Sequence, residues 1–263
     1  TALHGPLGLY IVTEGVKGDL FDFIEDYAHR LNSNIAAVVI REVLAGVAHM
    51  HQYHIVHRDI KPEYILVQVR SHTIIVKLCD FGNSLRFHPS DKNTYTSVFS
   101  GSPGFFAPEC ILTTRFDAIA ADIFSCGVVG MEMLVPQSFF SEVWLSAYAC
   151  LKRTAGSATE SGDYYHSMRV AILAAHKEVH GRYPDDLPVH EFITGVVHIQ
   201  PTLRPNVATL LSMPWLQRAN KGVACDDINS HKPVQVNHTN RSLVYNSSSS
   251  GAGSAIGSST KIG

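Results

Sequence analysis

Val39, Val43, Val47 and Met50 recur at three- and four-residue steps, the stripe of an amphipathic helix packed on one face, and predict a long helix over 34–53. Ahead of it, the apolar run 9–13 ends at Gly15 and Gly18 and reads as a buried strand. Asp19 is placed to cap a short helix over 20–27. Two β-type runs, 64–69 and 74–78, are joined by four polar-rich residues and predict a small hairpin. Residues 80–109 have no periodicity and are rich in Ser, Thr, Asn, Pro and Gly, as in a functional or disordered loop. Helical patterning returns at 122–134, apolar enough to be buried, and at 164–180, 189–199 and 206–217.

From about residue 218 the character changes, and 247–263 is nearly all Ser, Gly, Ala and Thr, so 218–263 is expected to be a flexible tail. Of the 263 residues 45% are apolar and 17% charged, enough to bury a substantial core over 1–217. The formal charge of −2 gives no reason to expect nucleic acid or an anionic membrane as partner. No apolar run is read as reaching the ~18–20 residues of a membrane span. Cys79, Cys110, Cys126, Cys150 and Cys225 lack ligand or framework spacing and fit reduced thiols in a cytoplasmic, or nuclear, protein. The fifteen histidines include His49, His51, His54 and His57 near one helix end, without a consistent metal-ligand set.

Three short motifs change the picture. His57-Arg58-Asp59-Ile60-Lys61-Pro62 follows the long helix, Asp80-Phe81-Gly82 follows the hairpin, and Ala107-Pro108-Glu109 closes the loop. In this order the chain resembles the catalytic loop, metal loop and activation-segment end of the eukaryotic protein kinases, serine/threonine type, over roughly residues 3–217. The resemblance implies a kinase-like fold, mainly α with a small β-hairpin element, and a protein substrate with ATP and Mg²⁺. It implies Asp59 as the base for the substrate hydroxyl, Lys61 as the group that stabilises the γ-phosphoryl, and Asp80 as the Mg²⁺ ligand. Glu14 and Val16 fall in the hinge that meets adenine, Asp19 where the ribose is met, and Leu66 beneath adenine. His57 packs under Phe81, Asp122 anchors the catalytic-loop backbone, and Arg204 pairs with Glu109. Lys61 and Ser102 are the serine/threonine-type residues. Arg58 resembles the arginine that meets an activation-segment phosphate; Val98 holds the usual position, which leaves Thr96 or Ser97 to take that role.

Two departures qualify these expectations. The metal-binding asparagine that should end the catalytic loop is Tyr64. The chain opens on Thr1, and no Gly-rich loop or strand lysine precedes the hinge, so the sequence is expected to hold the C-terminal lobe alone, inactive by itself. The alternative is a pseudokinase that binds or regulates a protein partner without transferring phosphate.

Overall fold

Two polar side chains set where the first helices begin. In the computed structural model, which describes residues 2–5, 8–11, 13–16, 18–28, 31–71, 73–88, 90, 94–149, 151 and 158–229, two strands come first: β1 (Ala2–Gly5) and β2 (Gly8–Ile11), paired antiparallel. After β3 (Gly18–Asp19), the Asp19 carboxylate accepts from the Asp22 N–H at 2.9 Å and starts α1 (Leu20–Tyr27). Asn32 accepts from the Ile35 N–H at 2.9 Å and starts α2 (Ser33–Gln52). Each cap satisfies one of the N–H groups that a helix start leaves open.

The predicted stripe of α2 faces inward, and Ile35 to Ile40 are buried as well. By length and composition α2 meets the test for a membrane span, with a window of mean hydropathy 1.3, which corrects the expectation that no run reaches that length. Here its apolar surface is taken up by α4 (Ala118–Leu134) on one side and the hairpin on the other. The hairpin is β5 (Ile65–Arg70) with β6 (Thr73–Leu78), in register from Ile65–Leu78 to Arg70–Thr73; β3 adds to β5 as the third strand.

The expected loop 80–109 is tied down at two points. β4 (Ile55–Val56) pairs with β7 (Leu85–Arg86), and β8 (Tyr95–Thr96) pairs with β9 (Phe116–Asp117). Two-residue strands carry no period for a pattern to reveal. After α3 (Glu109–Leu112), α4 begins at Ala118, ahead of the predicted 122, because Asp117 caps it by accepting from the Ile119 N–H at 3.0 Å. The close packing of α4 depends on Gly127: a Cβ there would lie 1.9 Å from Val196 Cγ1.

Beyond α4 come α5 (Gln137–Phe139), a π-helical turn Phe140–Trp144, α6 (Ser146–Ala149), α7 (Ala158–Arg182) and α8 (Leu187–Val196). Residues 152–157, within and beside the expected insertion at 154–162, lie outside the described residues. The single helix expected over 206–217 is two, α9 (Val207–Ser212) and α10 (Pro214–Gln217). Pro214 disfavours helical geometry in the residue before it, and Met213 is extended at φ −65, ψ 143. The expected flexible tail starts too early in the sequence reading. α11 (Lys221–Asn229) packs on α2 and β6, with Ala224, Cys225 and Ile228 buried. A three-residue apolar face was too short to register as a helix. Residues 230–263 lie outside the described residues.

Candidate active site

The site grows from one buried carboxylate. Asp122, in the second turn of α4, accepts from the backbone N–H groups of His57 and Arg58, both at 2.8 Å, and His51 Nε2 stands 3.0 Å away. These bonds hold the segment after β4 in an unusual backbone path, with Arg58 at φ +68 in the left-handed region. The Arg58 side chain donates to Asn83 O at 2.6 Å and to Val98 O at 3.0 Å, tying that segment to two points of the long connection.

Asp59 follows, buried at 6% exposure. Its Oδ2 accepts from Asn83 Nδ2 at 3.2 Å, while Oδ1 has no hydrogen-bond partner among the described residues. A buried carboxylate with one oxygen held and the other unpaired has capacity left to accept a proton. Lys61 Nζ donates to Ser102 Oγ at 2.8 Å and stands 4.4 Å from the centre of the Tyr64 ring. Burial first, then the neighbouring Asp80 carboxylate and the charges of Asp59 and Glu63, push the Tyr64 phenol up to about 12. Asp80, at φ +58, also accepts from the Gly82 N–H at 3.1 Å. The His57 ring lies 5.3 Å from the half-exposed Phe81, with its Nε2 3.0 Å from Cys79 O.

Asp59 is thus joined to Asn83, Lys61 to Ser102 and the Tyr64 ring, and Asp80 to Gly82. The other expected residues sit at various removes. Asp19 and Leu66 are register partners across β3 and β5. Glu14 pairs with Lys77 at 3.2 Å on an exposed edge, and Val16 is half-buried. Thr96 is buried, with Oγ1 accepting from the Val98 N–H at 3.1 Å, whereas Ser97 is exposed. Glu109 and Arg204 form a buried two-pronged ion pair with N–O distances of 2.5 and 2.8 Å.

Three donors that the sequence did not single out pin the stretch before Glu109. Trp144 Nε1 donates to Gly104 O at 2.8 Å, Ser125 Oγ to Phe105 O at 2.8 Å, and Tyr148 OH to Phe106 O at 3.0 Å. Asn83 was missed too, although its place directly after Asp80-Phe81-Gly82 offered a signal. So was Glu132, a lone acid in the apolar run of α4.

Glu132 lines a cavity of about 330 Å³ beside Ile24, Leu31 and Arg182, and its Oε2 lacks a partner among the described residues. Burial, then the charge of Glu63, push its carboxyl well above the ordinary value. The folded state thus holds this proton more tightly than the unfolded chain. The stability it carries is full below the ordinary carboxylate range and falls as pH rises towards the folded value, by up to about 1.4 kcal/mol per pH unit. Glu132→Gln is expected to gain progressively on the natural chain between pH 5 and 8 in urea denaturation. Parallel stability curves for the two would contradict this origin.

Among the described residues no group of three or more His, Cys, Asp or Glu is arranged to hold a metal ion. Asp80 is the carboxylate at the expected position, and a tyrosine, Tyr64, stands where an amide oxygen was expected beside it. The residues present do not fit a divalent cation.

Residues 3–216 match the family model described as protein kinase domain, and the chain belongs to the protein kinase family. It is 30% identical over 210 residues to the SNF-related serine/threonine-protein kinase of Rattus norvegicus, covering 80% of this chain and 24% of the relative. Over 133 residues it is 34% identical to the serine/threonine protein kinase OSK3 of Oryza sativa, covering 50% and 25%. With the calcium/calmodulin-dependent protein kinase cmkA of Emericella nidulans the identity is 32% over 211 residues, covering 79% and 45%. The chain spans less than half the length of these relatives. Their family is served in general by ATP and Mg²⁺.

Proposed function

We propose that this chain carries the catalytic residues of a protein serine/threonine kinase, which moves the γ-phosphoryl of ATP to serine or threonine hydroxyls on proteins. The observation that carries the proposal is the Asp59 carboxylate, buried and held by Asn83 through one oxygen, with the other unpaired among the described residues. As the acceptor oxygen bonds to the γ-phosphorus and the bond to the β-bridging oxygen breaks, ADP leaves and the acceptor proton passes to Asp59. Lys61, held by Ser102 at 2.8 Å, offsets charge on the transferring group in this proposal. Glu14, Val16, Asp19 and Leu66 line the adenosine side in this proposal, and a reduced cytoplasmic or nuclear setting goes with it.

Serine and threonine peptides are expected to take label from γ-labelled ATP with the full-length protein, and tyrosine peptides are not. Label confined to tyrosine would contradict the acceptor class.

A second reading, a pseudokinase that acts through a regulatory protein partner, is favoured by Tyr64 at the position of the expected metal-binding asparagine. Losing one preorganised ligand of this kind slows transfer by about 10²–10³-fold.

A further inference from the structure

Three consecutive residues of the catalytic loop grip one short turn. The 3₁₀ turn Phe81–Asn83 is closed by the Ser84 N–H on Phe81 O at 3.1 Å. The His57 ring lies 5.3 Å from that of Phe81, Arg58 Nε donates to Asn83 O at 2.6 Å, and Asp59 Oδ2 accepts from Asn83 Nδ2 at 3.2 Å. Asn83 is thus held through its main chain by Arg58 and itself holds Asp59 through its side chain. Arg58 is fixed in turn by Asp122, which accepts from its N–H at 2.8 Å. Among the described residues the Asn83 amide is the only hydrogen-bond donor on the buried Asp59 carboxylate, whose Oδ1 is unpaired. Tyr64, at the position of the expected asparagine, has no side-chain amide to offer.

We propose that Asn83 is a positioning residue for phosphoryl transfer: its amide fixes Oδ2 of Asp59, which leaves Oδ1 as the oxygen that takes the acceptor proton. The inference rests on the reading of Asp59 as the base. An ionised carboxylate only accepts hydrogen bonds, so the group that meets it is the NH₂ end of the amide. A carboxylate tied at one oxygen no longer swings freely about its last torsion, and a base contributes only when placed within hydrogen-bond reach of the proton it takes. A neutral amide achieves this without the full positive charge that lysine or arginine would set against the base. Leucine is close in size but has no donor, and aspartate keeps the shape but cannot donate once ionised.

The test is a double-variant cycle in single-turnover transfer from γ-labelled ATP with the full-length protein, joined to a measurement that needs no turnover. Asn83→Leu is expected to slow transfer about 10–10²-fold, the worth of a hydrogen bond to a charged group, with half-saturating ATP unchanged within about twofold. Asn83→Asp should lose more, since a second carboxylate would face the first. In the Asp59→Asn background, Asn83→Leu should cost no more than about twofold further, because no base remains to be placed. Equal fractional losses in both backgrounds, or a loss that falls on ATP binding alone, would assign Asn83 to the fold and overturn the proposal. The second measurement is solvent exchange of the Asn83 side-chain hydrogens in the ¹⁵N-labelled chain, which Asp59→Ala is expected to speed by about tenfold. Unchanged exchange overturns the proposal whatever the rates. Full transfer by Asn83→Leu overturns this inference alone, whereas no transfer by the natural protein overturns the kinase reading and the role of Asn83 with it.

Discussion

Arg204→Ala is expected to lower the unfolding free energy by about 3–5 kcal/mol, the cost of leaving one partner of a buried ion pair uncompensated. The Arg204 side chain is fully enclosed, and that of Glu109 is 5% exposed. Both terminal nitrogens reach the Glu109 carboxylate, Nη1 also donates to Ala120 O at 2.9 Å, and Nε donates to His198 O at 2.9 Å. The guanidinium further lies 4.7 Å from the centre of the Phe124 ring. Alanine would strand the Glu109 carboxylate and two backbone carbonyls at once. Lysine supplies the charge without the planar fork and should recover only part of the loss. The Arg218–Asp186 pair is the internal control. It is exposed on the arginine side, and breaking it should cost no more than about 1 kcal/mol. Denaturation curves giving Arg204→Ala a loss as small as the surface pair would show that the ion pair does not brace the end of the activation segment.

The residues that could be read from sequence are those whose role is set by a short local pattern. Asp19 as a cap before Leu20–Tyr27 follows from one side chain and the helix start beside it, and the structure places both there. The α2 stripe and the hairpin follow from periods of 3.6 and 2. The motifs that hold Asp59, Lys61 and Asp80 were legible because they lie in order between those elements. Contacts set by long-range packing left no local trace. Trp144 lies 40 residues from the carbonyl it supports, and Tyr148 lies 42 from its own. β7 and β8 are two residues long and owe their form to partners elsewhere. Met213 looked like mid-helix because its apolar side chain fits the stripe, yet Pro214 decides its backbone. The departure at Tyr64 was visible as a wrong residue at a motif position. The place of its ring, 4.4 Å from the Lys61 ammonium, came only from geometry.

Asp59→Asn is expected to slow phosphoryl transfer by about 10²–10⁴-fold, the usual contribution of a placed general base. Asparagine keeps the size and can still meet Asn83, but its amide cannot take the proton that the acceptor hydroxyl must lose. The fold should survive, since the loop is held by the bonds from His57 and Arg58 to Asp122 rather than by Asp59. The decisive measurement is single-turnover transfer from γ-labelled ATP to a serine/threonine peptide pool, with the full-length protein and its Asp59→Asn variant side by side. Label in the peptides with the natural protein, lost by at least about 10²-fold in the variant, is the predicted result. Equal label with both proteins, or none with the natural one, would contradict the assignment of Asp59 as the base of a kinase.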